Sequence, residues 1–122
     1  MITLSEKILI ALGSVLLLSN AEAQAPAAVA QGGYECWGNG SPRLLLNFKV
    51  TGKDSYADPE GKSRGRFVYN AGTGAITFKG GHLDGVMPNG FTSVYHEPKG
   101  RPTVSFRSAR GAEASFCERA GK

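Results

Sequence analysis

From residue 34 onward the chain alternates apolar and polar positions in short runs separated by turn residues. In the run from Arg43 to Val50, the residues Leu44, Leu46, Phe48 and Val50 fall on one face of an extended segment. Leu45, Asn47 and Lys49 fall on the other. Phe67 and Tyr69 keep the same two-residue spacing, and Ile76 and Phe78 repeat it beyond a Gly-rich turn, which predicts a hairpin of 64–70 with 75–80. A second hairpin is predicted from 91–96 and 103–107, with Val104 and Phe106 pointing inward. Residues 113–118 supply a last strand and 34–37 a first one.

The punctuation between these runs supports the same reading. Three Pro-x-Gly turns occur: Asp58-Pro59-Glu60-Gly61, Met87-Pro88-Asn89-Gly90 and Glu97-Pro98-Lys99-Gly100. Proline presets φ at the second turn position and glycine accepts the positive φ that ends such turns. No ten consecutive residues of this region lack both Gly and Pro, which excludes a long helix. The fold class predicted is all-β: a small antiparallel barrel, or less favoured a sandwich, of six to eight strands.

Ahead of this region lies a different composition. Lys7 is followed by a mostly apolar run from Ile8 to Leu18 and by Ala21-Glu22-Ala23, the pattern of a cleavable export signal over residues 1–23. The apolar run is shorter than the roughly 20 residues a spanning helix needs, so no membrane span is expected after cleavage. Residues 24–33 read as a flexible leader, 34–119 as the β-domain and 120–122 as a tail. The expected location is periplasmic or secreted.

Export changes the meaning of the two cysteines. In an oxidising compartment Cys36 and Cys117 are expected to pair, tying the first strand to the last. Two bonded Cα atoms lie within about 7 Å, so those strands must be neighbours or face each other across a thin core. Trp37, beside Cys36, is expected to pack on the bond.

Charge and candidate chemistry add less. Removing residues 1–23 takes away Lys7, Glu6 and Glu22 and leaves 13 basic and 8 acidic residues of the chain's 14 and 10. That excess suits an anionic envelope component: an acidic glycan, lipopolysaccharide or a lipid surface. No specific nucleic-acid partner is expected. Lys62, Arg64 and Arg66 form one basic cluster; Lys99 and Arg101 belong to another. The only histidines, His82 and His96, would form a metal or acid–base site with Asp84 only if the two hairpins meet. Gly61-Lys62-Ser63-Arg64-Gly65 matches a nucleophile elbow in letters, but a turn precedes Ser63 and no helix follows. No catalytic residue, metal or cofactor is assigned. The reading is a non-enzymatic exported domain that binds an envelope or extracellular macromolecule through His82, Asp84, His96, Lys62, Arg64, Arg66, Lys99 and Arg101. A small metal-dependent hydrolase is a further alternative.

The opening Tyr34-Glu35-Cys36, a Gly turn and Leu44-x-Leu46-x-Phe48 resembles the start of the periplasmic inhibitors of C-type lysozyme, and Cys117 matches their terminal cysteine in placement. The resemblance implies a small exported barrel and, as an alternative function, inhibition of a lysozyme-type hydrolase. The family's inhibitory Ser-Gly loop is not evident between residues 60 and 100; Gly80 to Gly85 occupies the place where it would be sought.

Overall fold

The computed structural model describes residues 25–121, so the expected export signal, residues 1–23, lies outside the described residues. Among the described residues there are two short 3-10 turns and nine antiparallel strands: β1 Gly32–Gly38, β2 Ser41–Pro42, β3 Phe48–Val50, β4 Ser55–Ala57, β5 Arg64–Tyr69, β6 Ile76–Lys79, β7 Thr92–His96, β8 Thr103–Arg107 and β9 Glu113–Arg119. They run in the order β6-β5-β4-β3-β1-β9-β8-β7, with β2 folded back on the end of β1. A single bridge, Ala75 to Val94, joins the two outermost strands, helped by the Tyr95 amide donating to Gly74 O at 2.8 Å. The sheet is therefore a nearly closed barrel. Both predicted hairpins are present, β5–β6 and β7–β8.

The first and last strands are direct neighbours. Cys36 stands opposite Cys117 in the β1–β9 register and the two sulfurs are bonded, with the Cα atoms 3.9 Å apart. Both residues are buried. The staple joins residues 81 apart in sequence, across the β1–β9 pairing that brings the first and last strands together.

Aromatic rings fill the interior. Tyr34 stacks on Phe48 at 4.8 Å between ring centroids, Phe48 meets Tyr56 edge-on, and Tyr56 meets Phe78 edge-on at 4.9 Å. Phe78 continues the chain of contacts to Phe67 and Phe106. The alternation read from the sequence puts these residues on the inner face, and offset or edge-on pairs add about 0.5–1.5 kcal/mol each beyond burial. Position 65 shares the inward face with Phe67 and has room only for glycine, because a Cβ there would collide with the Gly80 carbonyl and stand 2.7 Å from the Tyr56 ring.

Three expectations need correction. The run Arg43–Val50 is not one strand: Leu44–Leu46 forms a 3-10 turn and only Phe48–Val50 is extended. Main-chain and side-chain polar groups outbid the leucines here. The Arg43 amide donates to Cys36 O, the Asn47 side chain accepts the Cys36 amide at 2.8 Å, and the turn closes with Leu46 N–H to Arg43 O. The slack brings Phe48 back beside Tyr34.

The segment 24–33, expected as a flexible leader, is docked where it is described. Val29 is buried, and three phenols hold the main chain. Tyr69 donates to Pro26 O, Tyr34 donates to Ala30 O, and Tyr95 accepts the Ala30 amide. Its last two residues already belong to β1. Trp37 does not share a face with the disulfide. Strand alternation sends Cys36 inward and Trp37 outward, opposite Phe116 and Pro42.

Candidate functional site: two rims and a seam

Antiparallel strands give the barrel two rims. The first carries the start of β1, turns 51–54, 70–75 and 97–102, and the end of β9. The second carries loops 39–47, 58–63, 80–91 and 108–112. This division decides which predicted residues meet.

His82, Asp84 and Lys62 sit on second-rim loops, with Arg64 at the second-rim start of β5. His96, Lys99 and Arg101 sit on the first rim. Arg66 points back to that rim and is clamped to Asp54 at 2.8 Å. The predicted residues thus divide between opposite ends and form no common concavity. Among the described residues no three His, Cys, Asp or Glu side chains gather at a metal-sized site.

Each histidine has a local partner. His82 Nε2 donates to Asn47 O at 2.9 Å, which fastens loop 80–85 to the start of β3. His96 Nε2 lies 2.8 Å from Ser105 Oγ, and Ser105 donates to Glu113 Oε2 at 2.5 Å. With its proton engaged by Glu113, Ser105 accepts from His96. A nucleophilic triad needs the histidine between serine and acid, whereas here the buried serine occupies the middle. Burial, and then the Arg107 charge, hold the His96 pKa below its ordinary value, and Glu113 opposes them. Ser63 is equally unlike a nucleophile: its amide donates to Asp58 Oδ1 at 3.0 Å in a hairpin turn. That bond is the main reason the Asp58 carboxyl titrates low.

The cations are partly matched. Lys62 lies 3.7 Å from Glu60, and Arg101 lies 3.4 Å from Glu118, both pairs exposed and each contributing at most about 1 kcal/mol. On the first rim, Lys99, Arg101 and Arg119 surround a polar concavity of about 430 Å³ whose lining holds one carboxylate, Glu118. Arg119 reaches Gln31 O through Nη1, while its shielded Nε has no partner. Arg119 was missed in the sequence because it is distant from the 99–101 turn along the chain; the β8–β9 pairing supplies the proximity, with Thr103 opposite Glu118 and the Arg119 amide donating to Pro102 O at 3.0 Å.

No family model, curated protein or solved structure matches this chain.

Two surface features had no signal in the polar pattern. Leu44 and Leu45 are 71% and 91% exposed on the 3-10 turn, beside a hollow lined by Asn47, Asp58, Pro59, Glu60 and His82. The other feature is the seam. Past the Ala75–Val94 bridge, β6 and β7 separate toward the second rim and leave a cavity of about 310 Å³. Loop 80–91 covers it. Tyr56 anchors the first half of that loop, donating to Gly80 O and accepting the Leu83 amide at 3.0 Å, and Asp84 accepts the Gly80 amide at 2.7 Å.

Proposed function

We propose that the chain is an exported, non-enzymatic β-domain that binds an anionic macromolecule of the envelope or extracellular space through the first rim. One observation carries the reading: Lys99, Arg101 and Arg119 line a single open hollow against one carboxylate. A rigid barrel presenting a turn is a common arrangement for recognition, and clustered guanidinium and ammonium groups favour carboxylate, sulfate and phosphate groups. Both clusters are partly paired, Arg101 with Glu118 on the first rim and both Lys62 and Arg66 in the other, and the larger matched share leaves the Lys62–Arg66 cluster the weaker candidate. Purified protein passed over beads carrying acidic envelope polysaccharide should be retained at low salt and released as screening rises. Lys99→Glu/Arg101→Glu should abolish retention while Lys62→Glu leaves most of it. Flow-through of the unaltered protein at low salt would refute the proposal.

A second reading, inhibition of a lysozyme-type hydrolase, is favoured by the Leu44–Leu45 turn. The turn is exposed, apolar and held by the Cys36 main chain and the Asn47 side chain, so little ordering entropy opposes its insertion into a cleft. Adding the protein to a C-type lysozyme assay at micromolar concentration should slow hydrolysis, and Leu44→Asp/Leu45→Asp should restore it. Undiminished hydrolysis with the unaltered protein would dismiss this reading.

A further inference from the structure

We propose that the cavity between β6 and β7 is a binding site for a small cationic amphiphile, an amine carrying one alkyl or aryl body. The proposal is independent of the two readings above. The walls set the first half of this assignment. Ile76, Phe78, Leu83, Met87, Phe91 and Phe106 give an apolar wall to a half-open cleft of about 310 Å³, with Thr77, Thr92 and Ser93 also in its lining; the volume is at the lower end of the range for small-molecule pockets. That volume admits one chain or ring and not the face of a folded partner.

The charge at the cavity sets the second half. Asp84 is the single charged residue in the lining. One of its oxygens, Oδ2, accepts the Gly80 amide, which fixes the carboxylate in place. A carboxylate fixed beside an apolar hollow selects an ammonium head over a carboxylate head.

The backbone supplies a further polar anchor. The Phe67 amide donates to Asp54 O, toward β4, and the Asn70 amide donates to Ala75 O. By alternation, Arg66 and Val68 bond to β6 through Lys79 and Thr77. The N–H and C=O of Phe78 therefore point away from β5 into the seam, where no strand stands opposite.

The cover is lightly attached. Among the described residues, the main chain from residue 85 to residue 91 makes only local turn bonds, Val86 to Leu83 and Phe91 to Pro88, and none to a strand. Gly85 and Gly90, with φ of 73° and 92°, bracket this half of the loop at angles that only glycine adopts freely. Met87 and Phe91 rest on the core through apolar contact alone, and Val86 is 41% exposed. A ligand body can replace those contacts with its own.

Calorimetric titration of the full domain with decylamine below its micelle concentration tests the assignment, with decanoate and butylamine as comparators. The expected result is saturable one-to-one binding of decylamine, at least tenfold weaker binding of decanoate, and none of butylamine. Asp84→Asn keeps an acceptor for the Gly80 amide and should weaken decylamine about tenfold, the loss expected for one charge-assisted contact, while tightening decanoate by relieving like-charge repulsion, so that the preference between the two collapses. Glu60→Gln, a second-rim carboxylate outside the cavity, should have no effect. Three results would each overturn the proposal: no saturable binding of decylamine, decanoate binding as tightly as decylamine, or equal weakening by Glu60→Gln and Asp84→Asn. The decylamine–decanoate comparison uses the unaltered protein, so it stands even if a variant folds poorly.

Discussion

Replacing both half-cystines, as Cys36→Ala/Cys117→Ala, isolates what the staple contributes. The bond spans 81 residues, and the chain-entropy relation gives about 4.5 kcal/mol for a loop of that length. The native side of the equilibrium changes little. The β1–β9 hydrogen bonds do not depend on the sulfurs, and the two removed atoms leave a small void on the inner face of β1 and β9. The effect therefore falls on the unfolded chain, whose ends are freed. A domain of this size has roughly 5–15 kcal/mol of stability, so the loss takes a third or more of it. At about 4–8 °C per kcal/mol the midpoint should fall by roughly 18–36 °C. Urea unfolding followed by circular dichroism reads both quantities that matter. The midpoint should drop, and the slope m should rise, because an unfolded chain without its cross-link exposes more surface. A loss below about 1 kcal/mol with m unchanged would refute the reasoning. It would mean that the first and last strands stay together in the denatured ensemble without the bond.

Three further outcomes follow from the interior. Tyr56→Phe removes the acceptor of the buried Leu83 amide and the donor to Gly80 O; it should cost about 1–3 kcal/mol, and hydrogen exchange should quicken first in residues 80–85. Unchanged protection there would show that the phenol does not hold the loop. All four tyrosines titrate above the ordinary phenol value, chiefly through burial, with Tyr34 pushed up to about 12. Folding keeps these phenols protonated, so their stabilisation is complete below about pH 10 and is lost as pH rises through the folded values. Absorbance at 295 nm should therefore rise late and cooperatively with unfolding; a gradual rise centred near pH 10 in the folded protein would contradict the packing. His96 should show an NMR titration midpoint below the ordinary 6.5, moving lower still in Glu113→Gln, and a midpoint above 6.5 would contradict the buried His96–Ser105–Glu113 arrangement.

The pairing of strands was legible because local chemistry and global topology agree. The Pro-Gly turn at 97–100 closes β7 onto β8, and two-residue alternation puts Phe67, Phe78, Val104 and Phe106 inside without reference to any other strand. The errors lie where a distant partner decides. Three successive leucines satisfy either face of a strand, and the Asn47 side chain on the Cys36 amide settles the matter in favour of a turn. Residues 26–30 carry no apolar period because their own main-chain atoms make the contacts, two of their three phenol partners standing 43 and 65 residues away and only Tyr34 close by. The candidate site scattered for a reason that strand counting contains. Two residues separated by one complete strand lie on opposite rims of a barrel. His82 precedes β7 and His96 ends it, so the prediction of that strand already separated the histidines by its length. Lys62 and Arg101 belong to turns on opposite rims by the same rule, which divides the charge between the two ends of the barrel. The cationic hollow of the first rim and the acidic mouth of the seam on the second are thus separate in space. Neutralising Asp84 should leave retention on acidic polysaccharide intact, just as reversing Lys99 and Arg101 should leave amine binding intact.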